Sequence, residues 1–211
     1  MYICKALTES SMSKKISKTK KMLIEVARDL FATHGKRNIT MNDIAEASKK
    51  GRRTLYTYFN NKDEIFKAVI DKELTFLLEE LTRVSQEAYA PDTKLRNIAI
   101  THLDAVKYIV NRNGSLSADF FRDIYEVERA RRKIDMAEIK MIRDILEEGI
   151  EQKIFKKMDL DLSSVVVFHA IKGLEVPYIR KTLTKAFEEN KYNIIEFIFN
   201  GIKIDKMPYS N

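Results

Sequence analysis

The stretch Thr40 to Lys62, TMNDIAEASKKGRRTLYTYFNNK, constrains the fold more than any other, because it holds two short apolar periods on either side of a basic turn. Thr40 is placed to cap a short helix, with Asp43 answering from the third helical position and Ile44, Ala45 and Ser48 facing inward. Lys49, Lys50 and Gly51 interrupt the period, and Gly51, which lacks a Cβ, is expected to take the bend. A second short helix is expected from about Arg52, with Leu55 and Phe59 on one side at i, i+4. That spacing leaves Arg52, Arg53, Thr54, Tyr56, Thr57 and Tyr58 outward, a set of hydrogen-bond donors suited to phosphates and base edges. The pattern reads as a helix-turn-helix. A helix pair with surface arginines occurs in many proteins, so on its own it leaves DNA binding open.

Charge placement adds to the argument. Residues 1–62 hold 14 Lys and Arg against 5 Asp and Glu, whereas residues 63–211 hold 24 against 26, within a total net charge of +7. A positive end on a near-neutral body is the footprint of a polyanion-binding head on a carrier domain. Lys14, Lys15, Lys18, Lys20 and Lys21 alone would suit a solvated tail equally well, but Arg52 and Arg53 lie inside the motif. The single cysteine, Cys4, excludes an intramolecular disulfide framework, and neither C-x-x-C nor paired-His spacing suggests a metal. The N-terminus has no apolar core of a signal peptide and no run of about 18 apolar residues occurs. A cytoplasmic protein without a membrane segment is expected. No cofactor motif is legible: the six glycines form no phosphate loop and the three histidines make no ligand spacing.

Taken in order, residues 1–15 show no apolar period and are expected to be disordered. A first helix is expected from about Ser17 to Thr33, with Leu23, Val26, Ala27, Leu30 and Phe31 as its inner wall and Gly35 just past its end. His34 beside that glycine reads as structural. Asn61 and Glu64 form a capping-box pattern for a long helix to about Ala88. Beyond Pro91 only helical periods follow. Leu95, Ile98, His102, Ala105 and Ile109 make one stripe, ended by a loop at Asn111 to Ser115. Segments are then expected at about Ala118 to Lys133 and around Met136 to Ile150, and two more at about Leu162 to Asn190 and Asn193 to Ile204. The fold class is all-α, divided into an extension of residues 1–15, a head of residues 16–62 and a helical effector-binding and dimerisation body of residues 63–211.

Two regions of the body bear on ligands and partners. Pro177 lacks the N–H that would bond the carbonyl of Gly173, so the helix is expected to kink or open there. His169 falls with Val166, Gly173 and Val176 on one face, and Glu175 with Phe168, Ile171 and Tyr178 on another. Candidate ligand-lining residues are His102, Tyr125, Phe168, His169 and Glu175, with satisfied core histidines and a solvated glutamate as the plain alternative. An unpaired, buried Glu175 would favour a cationic ligand. The last helix carries Ile194, Ile195, Phe197, Ile198, Phe199 and Ile202, more apolar surface than one stripe can bury, so Ile194, Phe197 and Ile198 are expected in a homodimer interface.

Ile44, Ala45, Glu46, Ala47, Thr54, Leu55, Tyr56, Tyr58, Phe59 and Lys62, with Ala27, Leu30, Phe31 and Gly35 upstream, form a pattern that resembles the TetR family of transcriptional regulators over about residues 19 to 66. The resemblance implies a DNA-binding head joined by a connecting helix to a body that binds effectors and dimerises through its last two helices. It also implies phosphate contacts for Thr54, Tyr56, Tyr58 and Lys62, with Thr40 at the same interface. The family usually reads A-G-V-S-x-G where this chain has Ser48, Lys49, Lys50, Gly51, Arg52 and Arg53. Its turn glycine and buried valine are lysines here, and Arg53 adds a side chain where relatives use glycine for close approach to DNA. Base readout is therefore expected to be this chain's own.

The reading that follows is a homodimeric, non-enzymatic, ligand-responsive regulator, a repressor, that binds a palindromic double-stranded DNA operator and an effector of apolar or aromatic character. Its alternatives are a helical small-molecule-binding protein or enzyme with a basic end, and a constitutive DNA-binding protein without effector.

Overall fold

The computed structural model describes residues 17–114, 124–179 and 185–204, with the side chains of 124–128, 130 and 185–188 outside that description. The expectations for residues 1–15, for Phe120 and Phe121, and for the Tyr125 side chain lie outside the described residues. The chain forms two compact units, Met1–Val69 and Ile70–Asn211.

In the first unit, α1 (Lys18–His34), a single 3₁₀ turn (Lys36–Asn38), α2 (Met41–Ala47), α3 (Arg52–Tyr58) and the first turns of α4 (Lys62–Ser85) enclose a small core. Ser17 caps α1 by accepting from the Lys20 amide. Leu23, Ile24, Ala27 and Phe31 are buried from that helix, Ile44 and Ala45 from α2, Leu55 from α3, and Ile65, Phe66 and Val69 from α4. Phe31 meets Phe66 edge to face at 6.2 Å between ring centroids. Gly35 ends α1 at φ 78°, a left-handed value that glycine takes at little cost. The Asn61 side chain accepts from the Glu64 amide at 2.9 Å, but the Glu64 carboxylate reaches back to Asn60 rather than to Asn61. Half of the expected capping box forms.

The second unit contains the rest of α4, then α5 (Pro91–Arg112), α6 (Ile124–Glu151), α7 (Leu160–Gly173), α8 (Glu175–Ile179) and α9 (Lys185–Asn200). Helix α5 lies at its centre, packed against α6, α7, α8 and α9. Leu95, Ile98, Leu103, Ile142, Leu146, Phe168, Ile171 and Phe199 are among its buried side chains. The two segments expected on either side of Lys133 belong to one helix, α6. The charged run between them consists of strong helix formers without glycine or proline, so nothing ends the helix there. The break expected near Pro177 is present. Helix α7 stops at Gly173 and the Tyr178 amide bonds the Leu174 carbonyl at 3.0 Å as α8 begins.

The connection from α6 to α7 is anchored by Phe155, which is fully buried against Gly149, where an added Cβ would lie 2.1 Å from the ring. An isolated antiparallel bridge joins Phe155 to Lys203. Among the described residues no strand forms, and the fold is all-α.

Candidate functional site

The turn between α2 and α3 departs from expectation in an informative way. The left-handed residue is Lys49, at φ 52°, not Gly51, whose φ of −65° and ψ of 149° suit any residue at a helix N-cap. Gly51 contributes no side-chain cap. The chain thus holds a lysine in a conformation that costs a residue with a Cβ about 1 kcal/mol. The α2 cap forms as read: the Thr40 hydroxyl accepts from the Asp43 amide at 3.3 Å, and Asp43 accepts from the Thr40 amide at 2.7 Å. The Asp43 carboxylate also accepts from the Thr40 hydroxyl at 2.8 Å, and the two bonds it receives, from the Thr40 amide and hydroxyl, hold the carboxyl below its usual range.

Helix α3 packs through Leu55 and its C-cap Phe59, both buried, and turns Arg52, Arg53, Tyr56 and Thr57 outward, with Thr54 and Tyr58 half-buried beside them. Thr40 is exposed. Lys49, Lys50, Arg52 and Arg53 are all exposed, and among the described residues none of the four is held in an ion pair. Four unpaired cations within five residues, at the start of a helix, form a surface that attracts phosphate. The Thr57 hydroxyl donates to the Arg53 carbonyl at 2.9 Å, which commits its proton to its own helix. Lys62 is also engaged. Its ammonium donates to the Lys36 and Ile39 carbonyls at 2.7 Å each, tying the first turn of α4 to the loop that leads into α2.

In the second unit the structure gathers two of the candidate ligand residues and separates a third. His102 is 1% exposed and stands between two carboxylates. Its Nδ1 lies 2.9 Å from Glu138 Oε2 and its Nε2 lies 2.8 Å from Glu175 Oε1. Arg131 donates to the same Glu175 oxygen at 2.6 Å. Burial alone would lower the His102 pKa, but the charges and hydrogen bonds of Glu138 and Glu175 overcome it and raise it to about 9. For Glu175, burial works upward and is overcome by His102 and Arg131, so the carboxyl falls to about 2. Glu175 is therefore paired, which removes the premise on which a cationic ligand was expected for it. Phe168 is buried in the same core.

His169 lies on the opposite side. Leu162, Val165, Val166, His169 and Val176 form an exposed stripe along α7 and α8, while Phe168, Ile171, Glu175 and Tyr178 are buried. The two-faced division read from the spacing is present, with His169 turned away from Glu175 and His102. On α9, Ile195 and Phe199 are buried, Ile194 and Ile198 half-buried, and Phe197 is 81% exposed.

Sequence reasoning missed Glu138 and Arg131. A signal existed: Glu138 falls four residues from both Ile134 and Ile142, where the helical period calls for an apolar residue. The Lys62 tie had none, since its acceptors are backbone carbonyls more than 20 positions away.

Comparison with known proteins bears on both units. The family model for bacterial regulatory proteins of the tetR family matches residues 23–69. Over 153 residues the chain is 27% identical to YhgD of Bacillus subtilis, an HTH-type transcriptional regulator, covering 70% of this chain and 78% of that one. It is 27% identical over 164 residues to a probable acrEF/envCD operon repressor of Escherichia coli, covering 74% of each chain. The solved SmeT–triclosan complex shares the fold, with a TM-score of 0.70 over 92% of this chain and 96% of that one at 13% identity.

Proposed function

We propose that this chain, which belongs to the TetR family of bacterial regulatory proteins, represses transcription by binding a near-palindromic operator as a homodimer. It is a ligand-responsive regulator with a helix-turn-helix head. The observation that carries the operator reading is the unpaired basic surface of Lys49, Lys50, Arg52 and Arg53 on a helix whose other side is locked by Leu55 and Phe59. Helix α3 enters the major groove. Arg52 and Arg53 read base edges from its first turn, where a bidentate contact to guanine discriminates by about 1 to 3 kcal/mol. Thr54, Tyr56 and Tyr58 hold phosphates, as the family resemblance implies, and Thr40 serves α2 through its cap. Lys62 adds its charge to the field, while its ammonium is already satisfied by backbone carbonyls.

The dimer reading rests on the exposed stripe of α7 and α8 together with Ile194, Phe197 and Ile198 of α9. Burying those side chains against a second copy removes apolar surface that no described residue of the single chain covers. The same reading accounts for the apolar stretch Leu160–Ile179, long enough to cross a membrane by length and composition but divided between a buried and an exposed face. We place the protein in the cytoplasm with its operator. A small molecule bound in the second unit regulates it, in keeping with the triclosan bound by a protein of the same fold.

Selection of bound sequences from random duplex DNA tests this function. The expected product is an inverted repeat with half-site centres about 34 Å, or a multiple of it, apart, bound by an even number of chains. A recovered pool without sequence preference would contradict it.

A further inference from the structure

His102, Arg131, Glu138 and Glu175 form a cluster inside the second unit, and charged groups in a core are costly unless each is paired. With His102 protonated, two cations face two anions. The members are not held equally. His102 and Arg131 sit in the interiors of α5 and α6, helices of 22 and 28 residues. Glu175 is the first residue of a five-residue helix, directly after the break at Leu174, and Pro177 leaves the Gly173 carbonyl without its helical donor. The anion is thus the member on the least supported element.

Its contacts match those of a bound acid. The Arg131 guanidinium and the His102 ring converge on one carboxylate oxygen at 2.6 and 2.8 Å. Arginine with a second charged donor is a common arrangement for recognising carboxylates. One turn on either side of His102 stand Ile98 and Val106 on α5, and one turn beyond Glu138 stands Ile142 on α6, all buried. Beside Glu175 stand Ile171 and Tyr178, also buried. A molecule that took the place of the Glu175 carboxylate would meet two donors at one end and apolar surface along its length.

We propose that Glu175 is an internal stand-in for the effector's acidic group: the effector is an amphipathic carboxylate whose head replaces the Glu175 side chain between His102 and Arg131. Its binding removes the Glu175 tie of α8 to α5 and α6 and leaves α8 held to α5 by the Tyr178 hydroxyl, which donates to Asp104 at 2.5 Å. Glu138 keeps the His102 ring charged and oriented throughout. The proposal rests on the reading of the chain as ligand-responsive.

The test uses the full chain and three probes, octanoate, decanoate and 4-phenylbutyrate, each beside its neutral primary amide, with affinity measured by calorimetry. At least one carboxylate is expected to bind while its amide does not. Glu175→Gln, which keeps the size and removes the competing charge, should strengthen that binding by tenfold or more. Arg131→Lys, which keeps a charge but loses the guanidinium fork, should weaken it by tenfold or more. An increase in affinity on removing a buried acid separates displacement from a purely structural role. Binding of no carboxylate, equal binding of acid and amide, or unchanged affinity in Arg131→Lys would each overturn the proposal. If Glu175→Gln does not fold, the Arg131→Lys result decides. Operator binding by the wild-type chain, measured in parallel, separates the two levels: its absence defeats the regulator reading, whereas operator binding released by other compounds but never by carboxylates defeats this proposal alone.

Discussion

In the first unit the polar ties sit at the rim, where Thr40 and Asp43 cap a helix in the open and Lys62 closes a loop from a half-buried position. In the second they lie at the centre, with His102 and Glu138 each 1% exposed. The contrast follows from what each unit has to hold. A small head presenting unpaired cations to solvent has no use for buried charge, and water screens what its rim exposes. A larger body can bury an ionic group if every charge finds a partner, and removing one partner then becomes expensive.

The largest effect expected from breaking that contrast is therefore in the body. Glu138→Leu leaves the His102 ring facing one carboxylate instead of two and should cost about 3 kcal/mol of stability in a denaturant titration, near the lower end of the range for a broken buried pair because the ring can release its proton. A loss below about 1 kcal/mol would mean that the cluster is solvated in solution.

The pH dependence follows from the same groups. His102 has a folded pKa raised from 6.5 to about 9, so its contribution is complete below pH 6.5 and is lost as pH rises through about 9. Glu175 has one lowered from 4.5 to about 2, so its contribution is complete above pH 4.5 and is lost as pH falls through about 2. Melting temperature should form a plateau between these windows and decline on both sides. In Glu138→Leu the alkaline decline should move to lower pH. A decline at unchanged pH in that variant would show that Glu138 does not hold the proton on His102.

How much was legible in the sequence divides along the same line. The head could be read because its determinants are local: the Thr40–Asp43 cap spans three residues, and Leu55 with Phe59 spans four. Even there the residue carrying the bend was misplaced. Gly51 looked suited to a left-handed backbone, yet the left-handed residue is Lys49, where α2 ends with the Lys49 amide donating to the Glu46 carbonyl and the Lys50 amide to the Ala45 carbonyl. In the body, periodicity gave the helices and the Pro177 break, and it divided Val166 and His169 from Phe168 and Glu175. It could not pair His102 with Glu138 and Glu175, which lie 36 and 73 positions away. A one-helix period reports which face is inward, not what that face meets.

Smaller effects are expected in the head. Lys62→Met leaves the Lys36 and Ile39 carbonyls without their charged donor and should cost about 1 to 2 kcal/mol, the charge-assisted value reduced for partial exposure. If Lys62 acts through this tie, operator affinity falls while the slope of log K against log salt stays unchanged. A slope reduced by about 1 per subunit would mark it as a phosphate ligand instead. The smallest effect is at the turn, where Lys49→Gly should stabilise the head by about 0.5 to 1 kcal/mol through relief of the positive φ. Destabilisation there would indicate that the Lys49 side chain contributes contacts worth more than the strain.

The measurement that tests the central claim most directly is operator binding by Arg53→Ala at fixed salt, compared on the selected site and on the same site with its inner half-site bases exchanged. Arg53 is exposed on the first turn of α3. The expected result is a loss of about 1 to 3 kcal/mol on the selected site and a smaller loss on the exchanged one, so that the preference between them narrows. Equal affinity of wild type and variant on both sites would contradict the assignment of α3 as the helix that reads the operator.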